Sequence, residues 1–226
     1  MNIKNIKNIS FDFEFLNLLS KKEKDYLIET KTTLVYNKGE MICKQGAPIS
    51  HIHILHDGLV KQYIENRNNH LIIRIASGDA FFGITSLFHD STYHYSLSAL
   101  KNTTISSIDI NIFNSIINDN NEFTKYILKR LNNNNSHLYK RFFSITQKQL
   151  HGRIADAILF LSDNVFKSDS FDMGLSRKDI ADLTGMSIES VIRVLKELNN
   201  DKIIELNGKE LTIKSKKLLI KLSEIG

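Results

Sequence analysis

The pattern of apolar and polar positions changes character along the chain. Residues 11–30 place apolar side chains at helical spacing and predict one short amphipathic helix. From residue 32 to about residue 110, short runs of β-branched and aromatic residues alternate with glycine-containing turns. This alternation predicts the strands of a β-roll. Examples of the predicted strands are residues 33–36, 52–55, 59–64, 71–75 and 104–110.

Helical spacing returns after residue 110. It predicts a short helix over residues 112–117, a long helix over residues 122–149 and an amphipathic helix over residues 152–166. A long helix between two domains has a face left to bury, so we expect its seam to form a homodimer contact, with a polar Asn that fixes register. The alternative is that this helix packs on its own domain. The seam residues are Ile127, Leu131, Asn134, Leu138, Phe142 and Ile145.

Residues 175–198 carry the most informative pattern. Ser176 is a candidate helix N-cap, and Asp179 three positions later completes a capping-box-like pair. Gly185 stands where a tight turn needs a residue that tolerates positive φ, and Ser187 can cap a second helix. Together these signals predict a helix-turn-helix. The apolar residues that would hold the second helix to the domain are Val191, Val194, Leu195 and Leu198.

The sequence after the second helix predicts a wing. Asn207-Gly208 stands between two apolar runs, which is a strong signal for a hairpin with a type I′ turn. A helix-turn-helix followed by a hairpin is a winged helix. The alternative, a generic helical hairpin with exposed charges, would not explain why caps, turn glycine and wing all agree.

The outward face of the second helix points to double-stranded DNA. Such a helix enters the major groove, where Arg193 can donate two hydrogen bonds to guanine, Glu189 can accept from cytosine N4, and Ile188 can contact a thymine methyl. Polar and basic residues nearby are candidates for phosphate contacts, which set register rather than sequence. These candidates are Ser176, Arg177, Ser187, Ser190 and Lys196.

Bulk composition adds limits rather than evidence for DNA binding. The net charge is +5, but residues 150–226 carry 12 positive and 12 negative side chains, so the surplus lies outside the DNA-reading segment. The single cysteine, Cys43, excludes an internal disulfide and a four-thiolate iron–sulfur cluster from one chain. With no apolar run of membrane-spanning length and no leader pattern, we expect no membrane partner and a cytoplasmic protein.

These features together resemble the Crp/Fnr family of bacterial transcription regulators over nearly the whole chain. The residues that carry the resemblance are Gly39, Gly46, Gly58, Gly78, Gly83 and the segments 82–88, 152–155 and 187–195. The resemblance implies an α+β chain with a cyclic-nucleotide-binding-like β-roll over residues 1–120, a dimerisation helix over residues 121–149 and a winged helix-turn-helix over residues 150–226. It also implies contact with RNA polymerase and activation of transcription.

The resemblance makes Glu189 and Arg193 the residues that read base edges. Family members with Arg just before this Glu read an additional guanine, whereas the Fnr-like branch has an apolar residue there. Because this chain has Ile188, we expect a two-fold symmetric site with TTGA-like rather than TGTGA-like half-sites.

The resemblance also implies a small-molecule effector in the roll. Cyclic-nucleotide-binding members carry a Glu after the glycine and an Arg before a Ser or Thr, whereas this chain has Ile84 after Gly83, and His94 and Tyr95 before Ser96. Without a cationic partner for the phosphate, cyclic AMP is not expected. The tentative pocket comprises Gly83, Ile84, Thr85, Ser86, His94, Tyr95, Ser96, Leu138 and Tyr139.

The effector therefore stays unknown. Haem is one alternative, because the chain offers several possible axial ligands. These are His51, His53, His56, His70, His89, His94, His137, Met41 and Tyr95. Other ligands, or control by abundance without a ligand, are the remaining alternatives. An enzyme is not expected, since no phosphate loop, nucleophile elbow or zinc-protease pattern occurs. A ligand-binding module without DNA binding would leave Glu189 and Arg193 unexplained.

Overall fold

A computed structural model describes residues 11–67, 69–87 and 91–226, together with the backbone of residues 4–5. The chain divides into two compact units, of which the first comprises residues 1–64 and 76–136 and the second residues 65–75 and 137–226. None of the described helices combines the length and the apolar character that crossing a bilayer requires.

The predicted roll, most of which belongs to the first unit, is built from two antiparallel sheets with orders β1-β2-β9-β4-β7 and β3-β8-β5-β6. The strands are β1 (Lys4–Asn5), β2 (Thr32–Tyr36), β3 (Met41–Cys43), β4 (His51–Asp57), β5 (Leu59–Asn66), β6 (Asn69–Ser77), β7 (Ala80–Phe82), β8 (Ser96–Ala99) and β9 (Thr103–Asp109). The five strands predicted above are all present, and β1, β3, β7 and β8 are additional. The tight connection from β4 in one sheet to β5 in the other needs Gly58, because φ is +101° and a Cβ would lie 2.5 Å from the carbonyl oxygen of Asn102.

The single helix predicted over residues 11–30 was wrong in one respect, since the segment forms two helices. A 3-10 helix covers Glu14–Leu18, and α1 covers Lys21–Thr30. The break occurs at Ser20, whose backbone N–H donates to the Glu23 carboxylate over 2.7 Å, while its hydroxyl accepts from the Glu23 N–H. This capping box starts a new helix where hydrophobic spacing alone runs on.

Aromatic side chains join the following helices to the roll. After the short helix α2 (Ile84–Leu87) come α3 (Ile110–Asp119) and the long α4 (Asn121–Gln147), close to the predicted helices. The ring of Phe123 lies 5.7 Å from that of Phe15 and 5.6 Å from that of Phe113. Ile127 on α4 is buried in the same unit with 2% of its surface exposed. The predicted dimer seam therefore needs a correction, because Ile127 faces its own subunit's core.

The second unit contains the winged helix. Its helices are α5 (Leu150–Phe160), which continues as a π-helix over Leu161–Phe166, α6 (Arg177–Thr184), α7 (Ile188–Asn200) and α8 (Lys216–Ile225). The strands β10 (Ser170–Asp172), β11 (Ile204–Asn207) and β12 (Glu210–Ile213) form a sheet of order β10-β12-β11. Strand β10 lies between the predicted helix over residues 152–166 and the helix-turn-helix, in a segment for which no strand was predicted. The ring centroid of Phe171 on this strand lies 4.6 Å from that of Phe166, and the two rings are stacked.

The wing is present, but its turn differs from the prediction. Asn207 pairs with Glu210, so the two loop residues are Gly208 and Lys209 rather than Asn207 and Gly208. Only Gly208 has a positive φ, of +63°. A type I′ turn needs positive φ at both loop residues, whereas glycine at the first loop position alone is typical of a type II′ turn.

Candidate DNA-binding face and effector pocket

The first helix of the motif begins at the predicted capping box. The Ser176 hydroxyl accepts from the Asp179 N–H over 3.0 Å, and the Asp179 carboxylate accepts from both the Ser176 N–H (2.9 Å) and the Ser176 hydroxyl (2.6 Å). These bonds satisfy donors that the helix start leaves open. They also engage the Ser176 hydroxyl, which we had expected to be available for phosphate.

The turn between α6 and α7 is held against the end of α4. Gly185 ends α6 with a left-handed φ of +62°, as predicted. A Cβ at this position would lie only 2.5 Å from Cγ2 of Ile145. On the same helix, Arg141 donates a hydrogen bond to the Leu183 carbonyl, and burial lowers the pKa of Arg141 to about 10. The sequence gives no local signal for these contacts, because the partners are about 40 positions apart.

The two faces of α7 match the prediction. Val191, Val194, Leu195 and Leu198 are each no more than 2% exposed. The opposite face is open to solvent and presents the predicted base-reading set together with its neighbours. The exposed residues are Ile188, Glu189, Ile192, Arg193 and Lys196. Helix α7 is thereby fixed by one apolar stripe while its chemically diverse stripe is presented to a ligand.

The charged side chains of this face are ordered by local bonds. The pKa of Glu189 lies below its ordinary value because the carboxylate accepts from its own backbone N–H and from Ser187 at the helix start. Glu189 is therefore ionised and ready to accept from a base. Arg193 contacts Glu197 over 3.5 Å, and Glu197 accepts from His151 over 2.7 Å. Neither His151 nor Glu197 was identified from the sequence.

The remaining phosphate candidates differ in availability. The Ser187 hydroxyl accepts from the Ser190 N–H over 3.2 Å and so caps α7. Ser190 and Arg177 are half-buried, and Lys196 is exposed. The helix starts supplied by Ser176 and Ser187 offer backbone N–H groups and positive dipole ends to an anion.

Helix α4 exposes apolar side chains that its own subunit leaves uncovered. Phe142 is 67% exposed and Leu138 is 44% exposed, and both belong to the predicted seam. Leu131, Asn134 and Ile145 are half-buried. Three further exposed apolar residues of α4 were missing from the predicted seam. These are Leu128, Tyr139 and Phe143. Exposed apolar side chains grouped as closely as Leu138, Tyr139, Phe142 and Phe143 are typical of an interaction surface.

Three of the roll residues predicted to bind an effector, Gly83, Tyr95 and Ser96, take part in internal hydrogen bonds. The Tyr95 hydroxyl accepts from the Gly83 N–H over 2.6 Å, and the Ser96 hydroxyl accepts from the Gln45 N–H over 2.9 Å. Ile84 is buried, at 5% exposure. A cyclic phosphate needs free N–H donors and a cation, but the Gly83 N–H is already used and residue 84 is apolar. The described residues around Gly83 thus offer such a ligand neither that N–H group nor an acidic side chain at position 84.

The other members of the tentative pocket are scattered in exposure. Thr85 is exposed and His94 is half-buried, whereas Ser86 is fully buried. The Ser86 hydroxyl has no hydrogen-bond partner among the described residues. Leu138 and Tyr139 are exposed on the part of α4 that belongs to the second unit.

Two of the predicted haem ligands, buried His53 and half-buried His56, have internal hydrogen-bond partners. His53 is 7% exposed and bonds through Nδ1 to Ser107 (2.9 Å) and through Nε2 to the Tyr93 hydroxyl (3.1 Å). His56 bonds through Nε2 to Ser106 over 2.6 Å. Burial lowers the pKa of each to about 4. Both rings are thus neutral and bonded internally, as an ordinary core histidine is.

The other haem candidates gain no support from their surroundings. His51 bonds to the Ser50 hydroxyl, and Met41 is exposed on β3. His89 lies outside the described residues. Among the residues that the structure describes, no three His, Cys, Asp or Glu side chains group in a way that could hold a metal ion.

Comparison with known proteins agrees with this geometry. The cyclic nucleotide-binding domain model matches residues 33–120, and the Crp-like helix-turn-helix domain model matches residues 152–222. Electron transport regulator A of Shewanella oneidensis is 24% identical over 206 residues, covering 88% of this chain and 80% of that protein. FixK2 of Bradyrhizobium japonicum has the same fold, with a TM-score of 0.79 and 18% identity over 85% of this chain and 96% of that chain.

A Crp/Fnr regulator from Eubacterium rectale has the same fold over 94% of this chain and 98% of that chain, with a TM-score of 0.76 at 18% identity. The fold and the two matching family models define the class of the protein. It is a DNA-binding transcription regulator whose β-roll is an effector-binding domain. The chain belongs to the Crp/Fnr family. The boundaries at residues 120 and 149 stay a prediction, since the two family models leave out the whole of α4.

Proposed function

We propose that this protein is a dimeric, sequence-specific transcription regulator, acting as an activator, whose helix α7 reads the major groove of DNA. One observation carries the proposal. The exposed stripe of α7 holds Ile188, Glu189 and Arg193, and the opposite stripe is anchored in the domain core. One exposed helix face thus combines an apolar group, a hydrogen-bond acceptor and a bidentate hydrogen-bond donor. These are the groups that distinguish bases in the major groove.

The base assignments follow from these groups. Arg193 donates to guanine O6 and N7, ionised Glu189 accepts from cytosine N4, and Ile188 contacts a thymine methyl. Together they favour TTGA-like half-sites arranged with two-fold symmetry. Arg177, Ser190, Lys196 and the two helix starts hold the phosphate backbone.

The exposed face of α4 supports the dimer. We propose that a second copy covers the face around Leu138 and Phe142, so that two copies of α7 meet successive major grooves about one helical turn apart. Members of the Crp/Fnr family bind DNA as dimers. The protein would then act where bacterial DNA and RNA polymerase are, in the cytoplasm.

The proposed effector is a molecule other than cyclic AMP. The Tyr95–Gly83 hydrogen bond and the buried Ile84 support this, because they remove a donor and the acceptor that a cyclic nucleotide needs. Control by protein abundance is the alternative. Haem is a second alternative, because its iron needs only one or two axial ligands and the chain offers several candidates. A haemin titration with CO or NO tests it. A Soret band that saturates at one haem per subunit would identify haem as the effector.

Selection from a random duplex library tests the DNA assignment. We expect the full chain to enrich paired TTGA-like half-sites, and Arg193→Ala to lose preference at one base pair per half-site at a cost of about 1–3 kcal/mol. Enrichment of TGTGA-like half-sites would contradict the role of Ile188. Unchanged selection after replacing both Glu189 and Arg193 by alanine would refute base reading by α7.

A further inference from the structure

Helix α7 carries a carboxylate within reach of its own base-reading arginine. Glu197 lies one turn after Arg193, and its Oε1 is 3.5 Å from the Arg193 guanidinium. Both side chains are partly exposed, at 41% and 57%. An isolated ion pair of this kind holds its partners weakly, because two long side chains must give up rotamer freedom.

A hydrogen bond from His151 holds the Glu197 carboxylate more firmly than the ion pair alone. The other carboxylate oxygen of Glu197, Oε2, accepts a hydrogen bond from Nε2 of His151 over 2.7 Å. His151 lies on α5, so the carboxylate is fixed from a different helix. The donor on Nε2 also fixes the histidine tautomer, since a carboxylate can only accept. Glu197 therefore has one oxygen anchored by α5 and the other directed at Arg193.

We propose, on the basis of the function proposed above, that His151 and Glu197 are positioning residues for Arg193 and thereby help to determine base specificity. A free arginine side chain loses about 2 kcal/mol of rotamer entropy when it is fixed. A guanidinium that is already held near the position from which it contacts the base loses less rotamer entropy on binding. The affinity gained in this way applies only where the correct base completes the contact.

The charge of Glu197 gives the proposal a distinctive signature. A carboxylate beside the DNA-binding face repels phosphate, so it opposes sequence-independent binding. Replacing it by the neutral amide in Glu197→Gln should thus leave affinity for a random duplex unchanged or higher. The same change should lower discrimination against a duplex whose Arg193 base pair is altered. A merely structural role would weaken binding to both duplexes together.

Fluorescence anisotropy on the selected, altered and random duplexes tests this with the full chain. We expect Glu197→Gln to reduce discrimination about threefold to tenfold and His151→Ala to reduce it less, in line with coupling between neighbouring residues. In an Arg193→Ala background, Glu197→Gln should change nothing further. Glu205→Gln is the matched control, because it removes the same charge from a pair with Lys214 on the wing.

Three outcomes would overturn the proposal. In the first, Glu197→Gln keeps full discrimination between the selected and altered duplexes although Arg193→Ala has lost it. In the second, Glu205→Gln loses as much discrimination as Glu197→Gln. In the third, Glu197→Gln still changes discrimination in the Arg193→Ala background. If Arg193→Ala itself keeps full discrimination, base reading fails and positioning fails with it. Glu197→Asp provides a second variant that keeps the charge but shortens its reach, and it should also lose discrimination.

Discussion

A Cβ atom on Gly185 would lie 2.5 Å from Cγ2 of Ile145, so the turn of the helix-turn-helix touches α4 with no room for a methyl group. The left-handed φ of +62° adds a second penalty for any side chain there. Gly185 is thus required by both its backbone and its neighbour.

Gly185→Ala should destabilise the protein by about 2–4 kcal/mol, because conformational strain and overpacking add. Chemical denaturation measures this loss. Gly208→Ala is the matched control, since Gly208 has φ +63° with nothing within 4 Å of its Cβ, and it should show the strain alone, about 1 kcal/mol. Adding Ile145→Ala should recover part of the Gly185→Ala loss. No such recovery would mean that the steric contact is not the cause.

Asp156 ties three helices together in the second unit. Its carboxylate accepts from Ser144 of α4 over 2.5 Å, from Lys148 over 2.9 Å and from Ser223 of α8. Asp156→Ala should cost about 2–4 kcal/mol, because Lys148 is left largely buried without its counter-ion. Thermal unfolding measures this loss of stability. Asp163→Ala, which breaks an exposed pair with Lys216, should cost much less. Equal losses would argue against Asp156 as the joining residue.

The buried histidines predict how stability depends on pH. Burial lowers the pKa of His53 to about 4, from an ordinary value of 6.5. The unfolded chain therefore takes up this proton first as the pH falls, and stability present above pH 6.5 is lost progressively down to pH 4. For His53 the loss amounts to about 3 kcal/mol. Urea denaturation across this range measures the free energy of unfolding. Its dependence on pH should be shallower in His53→Gln than in the unchanged protein, and shallower still when His56→Gln is added. An unchanged slope in both variants would contradict the burial argument.

The parts of the fold predicted from sequence are those decided by local chemistry. The Ser176–Asp179 box, the Gly185 turn and the two stripes of α7 depend on neighbours within a few positions, and each was predicted. The break at Ser20 depends on a capping box of the same kind, and continuous apolar spacing concealed it. The polarity of α7 also separates candidate DNA contacts from core residues.

What the sequence could not supply depends on distant partners. Strands β7 and β8 are buried at every residue, so no alternation marks them. Strand β10 exists through its pairing with β12, about 40 positions away. The contacts Arg141–Leu183 and His151–Glu197 join side chains whose types carry no local signal. The burial of Ile127 likewise follows from its tertiary packing and not from helical spacing.

Lys196 and Arg193 should separate phosphate binding from base reading. Both are exposed on α7. Lys196→Ala should reduce the dependence of log affinity on log salt by about one and weaken all duplexes alike, because one phosphate contact is lost. Arg193→Ala should instead change selectivity. Anisotropy titrations at several salt concentrations measure both effects, with Lys22→Ala on α1 as a charge control. A change of selectivity in Lys196→Ala would place that side chain at a base edge.

The exposed apolar face of α4 predicts the assembly state. Phe142→Asp places a charge on a side chain that is 67% exposed in the single chain, so the subunit itself should stay folded. In a dimer the same charge would be buried without a partner. Sedimentation velocity should then show monomers, and affinity for a paired site should fall by at least about 100-fold as the linkage between two half-sites is lost. Tyr26→Asp on α1, 53% exposed, is the control and should leave the dimer intact. A Phe142→Asp variant that sediments as a dimer would show that another surface joins the subunits.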